Sequence, residues 1–231
     1  MPSPKQIVIL SGPSCVGKGP LLKALRRLHP QLPFADLTLC TTRQPRFKKD
    51  RNAWEVHGVD YFFMPGRWFA DLDQNRYLVA PIRSEIQAID LDLLQDRLAN
   101  HDRILAEIHP GRAGLLAEWV ARQSRWTIDL KRIFLLPMSG DQIERLSQSR
   151  GQSPRQVVEE EMLRKLNRRA EDPPEKINER ARAAYGEILQ SESYPFRIVN
   201  PVGEDDLAAW SDPLGPEPRR VLDEFVKIIL S

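Results

Sequence analysis

Residues 11–20 read SGPSCVGKGP, and Gly12, Gly17 and Lys18 fall in the spacing Gly-x-x-x-x-Gly-Lys. That spacing is suited to holding phosphate. The glycines let backbone N–H groups turn inward around phosphate oxygens, a following helix adds the positive end of its dipole, and the lysine reaches the outer phosphates. The expected ATP-binding residues are Gly12, Pro13, Ser14, Cys15, Val16, Gly17, Lys18 and Gly19, with Lys18 catalytic. One group is missing. Such a loop usually follows its lysine with Ser or Thr, whose hydroxyl binds Mg2+. Here Gly19 and Pro20 carry no hydroxyl. Magnesium can lean on nucleotide phosphates and water, so the loss predicts weaker catalysis rather than none. Cys15 reads as a small turn residue in preference to a redox switch.

Further along, Thr-Thr-Arg-Gln-Pro-Arg at 41–46 offers Arg43 and Arg46 as fork donors suited to a terminal phosphate. Glu107 closes the apolar run RILAEI, a place where α/β chemistry concentrates. His109, before Pro110 and Gly111, is either a pocket residue or the cap of a turn. A charged stretch from 141 to 184 carries Arg150, Arg164, Arg168, Arg169 and Arg180. One or two of these are expected on a transferring phosphate, and most are expected on a solvated face, as in an i,i+4 pair of Glu160 with Arg164.

The elements that would position these groups alternate. QIVIL at 6–10 predicts a buried strand, and residues 18–28 a helix with Leu21, Leu22 and Leu25 on one side. Strands are expected at 36–42, 60–64, 77–82, 86–89, 103–108, 132–136 and 196–199. Helices are expected at 67–73, 90–99, 141–149, 155–169, 175–190 and 218–230. The alternation predicts an α/β fold with a parallel sheet flanked by helices. Residues 201–217 read as a surface insertion.

Composition sets outer bounds. The chain has 231 residues, a formal net charge of +2 and two cysteines, Cys15 and Cys40. The charge is too small to argue for nucleic acid, and two cysteines imply no disulfide framework. Both fit a cytoplasmic protein with no membrane segment, and MPSPKQIVIL does not read as a signal peptide.

GPSCVGKG, TTRQPR at 41–46, HGVDYFF at 57–63 and IFLLP at 133–137 together resemble guanylate kinase. The resemblance runs from about residue 5 to 200, strong in the first third and thin in the middle. It implies a P-loop NTPase core, a small lobe for the acceptor and an arginine-bearing lid, with ATP and Mg2+ as cofactors. On this chain that would be one domain, with core 5–35, 90–140 and 185–231, lobe 36–89 and extended lid 141–184. It implies that Arg43, Arg46 and Tyr61 hold an acceptor phosphate, and that Glu107 organises Mg2+ through water. Arg150 and Arg180 become the catalytic lid arginines. The loop between Arg46 and Tyr61 is longer than the family norm and reads as solvated.

The residues that read guanine in that family are replaced here. The resemblance puts Leu39 in place of a Ser, Val79 in place of a Glu, Gln87 or Ala88 in place of a Tyr, and His109 in place of a second acid. The phosphate grip is kept and the base grip erased. The expected activity is ATP-dependent transfer to a small phosphorylated metabolite other than GMP, either another nucleotide or a sugar phosphate. The alternatives are a non-catalytic module that binds a phosphorylated partner or senses nucleotide, and, less well matched, a true GMP kinase.

Overall fold

The computed structural model describes residues 4–49 and 51–231. In chain order the elements are β1 (Lys5–Ser11), α1 (Lys18–Leu28), β2 (Ala35–Asp36), β3 (Cys40–Thr41), β4 (Phe47–Lys48), β5 (Ala53–Trp54), β6 (Phe62–Phe63), α2 (Gly66–Ala70), β7 (Tyr77–Ile82), β8 (Glu85–Asp90), α3 (Leu91–Asn100), β9 (Arg103–Glu107), α4 (Pro110–Ala121), β10 (Ile128–Leu136), α5 (Gly140–Arg150), α6 (Pro154–Arg169), α7 (Pro174–Leu189), β11 (Phe196–Val199) and α8 (Pro216–Leu230). Short 3-10 turns follow α7 (Gln190–Ser193) and precede α8 (Leu207–Trp210). The central sheet has the strand order β11-β10-β1-β9-β2, with parallel pairing of β10 to β11 and of β2 to β9. Ile7, Val8, Ile9 and Leu10 of β1 are fully buried, as expected for a strand covered on both faces. This is the α/β arrangement that the alternation predicts.

By its contacts the chain divides into two compact units. The first comprises Met1–Ile9 and Pro33–Lys131, the second Leu10–Leu32 and Arg132–Ser231. In the first, a smaller sheet of order β6-β3-β8-β7 closes over Cys40, Phe69 and Ala88, with Trp68, Tyr77 and Val79 packed against them. In the second, α5 and α6 each begin with a capping box, Ser139 with Gln142 and Ser153 with Gln156. α5 stops at Gly151, whose φ of 64° favours glycine. α6 turns Val157, Val158, Met162 and Leu166 inward and lies against α7.

Three expectations need correction. Residues 36–42 do not form one strand: β2 pairs with β9, while β3 pairs with β6 and β8, so the segment serves two sheets. The helix α4 was not expected, because Pro110, Gly111 and Gly114 break its pattern, yet Pro is tolerated at a first helical position and His109 caps it. Residues 201–217 are not a mere surface insertion. Trp210 is buried, its indole N–H donates to the Val202 carbonyl, and Gly203 lies so close to the Cys15 carbonyl that an added Cβ would come within 2.0 Å of it.

Candidate active site

The second unit holds the phosphate loop. It bends where β1 gives way to α1, and its conformation explains its glycines. Gly12 has φ 142°, and a Cβ there would meet the Leu135 carbonyl oxygen at 2.5 Å; Gly17 has φ 92°, and a Cβ there would meet the Asn200 amide at 2.5 Å. Asn200 in turn donates to the Val16 carbonyl at 2.7 Å and so ties β11's exit to the loop. Lys18 is buried and donates from Nζ to the carbonyls of Gly12 and Pro13, at 3.1 and 2.9 Å. Its ammonium is thus held over the loop that the spacing assigns to phosphate. Cys15 also lies in a left-handed conformation, φ 66°, and its thiol donates to the Lys165 carbonyl at 3.6 Å. Burial pushes that thiol up to about 12, with the Glu204 charge adding to it. A thiol both buried and protonated is a poor nucleophile, which weighs against a redox switch and for a turn residue.

The basic residues of the stretch expected to form a lid separate into two kinds. Arg180 is buried beside the phosphate loop, with Nη1 3.5 Å from the Ser14 hydroxyl and 3.4 Å from Asp172. Arg169 is buried too, donates to Glu204 at 2.7 Å and pairs with Asp172; burial opposes its charge, but the nearby acids win and raise its pKa. Lys165, with 1% exposure, donates to the Pro201 carbonyl at 2.6 Å and pairs with Asp205 at 3.3 Å. Arg150, by contrast, is half exposed and pairs with Glu160 at 3.5 Å. The expected Glu160–Arg164 pair does not form, because Arg164 reaches back three residues to Glu161 at 2.6 Å.

The first unit holds the arginines of TTRQPR. Arg43 is buried, and its two terminal nitrogens grip the Glu55 carboxylate at 2.6 and 3.1 Å. The same carboxylate accepts the Arg46 backbone N–H at 2.9 Å and lies 3.6 Å from the Arg46 guanidinium. Burial alone would raise Glu55, but the Arg43 hydrogen bonds and the charges of Arg46 and Arg43 hold it below the usual carboxylate range. Arg43 also stacks over Tyr61, 4.7 Å from its ring centre. Burial pushes the Tyr61 phenol up, the Glu107 charge adds to this, and Arg43, Arg46 and Arg112 oppose it. The residues named for an acceptor phosphate are therefore brought together, with exposed Glu107 near enough to act on the phenol. Sequence reading missed Glu55. The longer loop was read as solvated, yet it ends in the carboxylate that fixes both arginines; the spacing of an acid just before HGVDY was the available signal.

The positions expected to read a base carry apolar or amide side chains. Leu39 is buried and Val79 half-buried. Gln87 of β8 is buried, and its side-chain oxygen accepts from Nη2 of Arg112. Arg112 itself has 0% exposure, and burial lowers its pKa to about 10, so it stays charged at neutral pH. Arg112 was missed because α4 was missed. His109 takes the second of its two readings: its Nδ1 accepts the Gly111 N–H at 3.1 Å and caps α4.

The residues present fit a bound nucleotide phosphate, through the loop and Lys18. They offer less to a metal. Pro20 is buried within α1, Gly19 faces open space, and among the described residues no group of three or more His, Cys, Asp or Glu side chains is gathered. Among the described residues no helix is long and apolar enough to cross a membrane.

Comparison with known proteins agrees on one family. The chain is 30% identical over 211 residues to the guanylate kinase of Thermosynechococcus vestitus, covering 90% of this chain and 92% of that one. It is 34% identical over 207 residues to that of Trichodesmium erythraeum, covering 87% and 91%. The crystal structure of guanylate kinase from Anaplasma phagocytophilum superposes with a TM-score of 0.57 at 20% identity, over 98% of this chain and 85% of that one, a likeness of fold. No family model matches.

Proposed function

This chain belongs to the guanylate kinase family and is a P-loop kinase, and from that premise we propose that it transfers the terminal phosphoryl group of ATP to a small phosphorylated acceptor other than GMP. An acceptor phosphate oxygen attacks the terminal phosphorus, the bond to the ADP oxygen breaks, and the acceptor's phosphate becomes a diphosphate. Lys18 neutralises charge on the transferring group, and Arg180, beside the loop, is the lid arginine best placed to join it. Arg43 and Arg46, fixed by Glu55, hold the acceptor phosphate with the Tyr61 hydroxyl. Bound Mg2+ would shield the phosphates.

What supports the choice of acceptor is the set of residues at the positions that the resemblance assigns to base reading. Guanine presents N–H donors along one edge and needs an acidic acceptor there. Val79 offers none, and Arg112 beside Gln87 offers a further donor and a positive charge. Losing one charged hydrogen bond costs about 1.5–3 kcal/mol. The names of the relatives favour GMP as acceptor, and Pro20 favours a module without turnover. One assay separates the three. ADP release would be measured with ATP and Mg2+ against GMP, other nucleoside monophosphates and sugar phosphates. Turnover on a non-GMP acceptor is expected. Efficient turnover on GMP would sink this reading of Val79, and no turnover with any acceptor would favour the binding module.

A further inference from the structure

Arg112 lacks what a buried arginine normally has. Its guanidinium is sealed from water, its Nη2 donates to the Gln87 side chain, and its Nε and Nη1 have no hydrogen-bond partner. The groups that act on its charge are Tyr61 and Cys40, both neutral at physiological pH, and among the described residues no carboxylate pairs with it. Two arginines of this unit are buried, and the other, Arg43, has Glu55 as counter-charge. An isolated buried cation is strongly unfavourable. Folding alone gives no reason to keep it, whereas a ligand that brings an anion does.

Its position says which ligand. Gln87 and Thr41 face each other across the β3–β8 pair. Thr41's hydroxyl accepts the Arg43 backbone N–H at 3.1 Å, and Gln87's oxygen accepts from Arg112. Thr41 thus fixes the Arg43 backbone and Gln87 the Arg112 guanidinium on opposed residues of one strand pair; the Arg43 guanidinium lies 4.7 Å from the Tyr61 ring centre, and both charges act on the Tyr61 phenol. That places two cationic positions within the span of one small molecule. A guanidinium carries only donors, so the matching group is an oxyanion.

We propose that Arg112, with Gln87, binds a second oxyanion of the acceptor, so that the substrate is anionic at both ends, as a sugar bisphosphate or a phosphorylated carboxylic acid is. This rests on the non-GMP reading above. Binding draws the oxyanion onto Nε and Nη1 and requires the side chains that seal them to move aside. Arg112 is then the residue that selects a two-headed acceptor over a monophosphate.

The test is calorimetric titration of the full chain with a pentose monophosphate, a pentose bisphosphate, a phosphoglycerate and GMP. The wild type is compared with Arg112→Met and Arg112→Lys, with thermal unfolding to verify folding. The wild type should bind one of the two-headed compounds roughly 10-fold or more tighter than the monophosphate, the low end for a charge-assisted contact. The bisphosphate and phosphoglycerate arms decide whether the second group is phosphate or carboxylate. In Arg112→Met the preference should vanish while monophosphate affinity stays within about 3-fold, and Arg112→Lys should keep part of it. Equal binding of one- and two-headed compounds by the wild type overturns the proposal, as does a preference that survives in Arg112→Met. The wild-type and lysine arms still decide if the methionine variant does not fold. Turnover of a non-GMP monophosphate with no two-headed preference would sink this inference alone, whereas efficient GMP turnover would sink the reading beneath it.

Discussion

Glu55 is the one carboxylate on which the proposed acceptor-phosphate arginines Arg43 and Arg46 both depend. It is buried, grips Arg43 with both oxygens and accepts the Arg46 backbone N–H. Without it, two like charges would be left to repel. Its folded pKa lies below its ordinary value, so its stabilisation is present above the unfolded value of about 4.3 and is lost as pH falls through the folded value. Glu55→Gln should therefore cost about 1.5–3 kcal/mol near pH 7, and its gap from wild type should close on acidification below about pH 4. Denaturant titrations of both proteins at the two pH values measure this; a gap that persists in acid would mean the charge is not its source. Cys15 makes the opposite kind of statement. Its buried thiol, pushed up to about 12, should resist iodoacetamide at pH 8 in the native chain and react once the chain is unfolded. Mass spectrometry reads the difference, and rapid native labelling would contradict the burial.

At the scale of elements, the join between α6 and the segment after β11 is an electrostatic one. Lys165 and Asp205 form an ion pair with 2% and 3% of their side chains exposed, and Arg168 adds to it at 3.4 Å from Asp205. Removing one partner of a buried pair strands the other, at about 3–5 kcal/mol. Asp205→Asn should show that loss in urea unfolding. Adding Lys165→Met should restore most of it, because the stranded cation is then gone; strictly additive losses would mean the two residues act independently. The same elements mark what could be read from sequence. Strong periodicity placed α1 at 18–28 and β11 at 196–199. Capping boxes set the starts of α5 and α6 close to where they were expected. Local pattern failed where tertiary pairing decided the outcome. Residues 36–42 are apolar enough for one strand but are divided between two sheets, and α4 starts on a Pro-Gly step that reads as a turn. With α4 went Arg112, and with the solvated reading of the long loop went Glu55. Arg112 is buried by a contact 25 residues away in sequence, which local pattern does not encode, whereas Glu55 left a weak signal in its spacing before HGVDY.

At the scale of the whole chain, the two proposed phosphate grips belong to different units. Gly12, Gly17, Lys18 and Arg180 lie in the second unit, and Arg43, Arg46, Glu55, Tyr61 and Arg112 lie in the first. Each set is held by partners from its own unit: Lys18 by the loop carbonyls, Arg180 by Ser14 and Asp172, Arg43 by Glu55. Donor and acceptor binding should then be separable by mutation. Lys18→Met removes the ammonium from the loop and should lower turnover by about 100-fold or more, as expected when a charge-stabilising group is lost, while acceptor affinity stays within about 3-fold of wild type. Arg43→Ala should do the reverse, weakening acceptor binding by about 10-fold or more and leaving ATP affinity unchanged. Calorimetry with ATP and with the best acceptor, on each variant, gives the four affinities needed. A Lys18→Met protein that also loses its acceptor would mean that the loop charge is felt across both units. Retention of acceptor binding would support a chain in which each unit holds its own phosphate independently of the other.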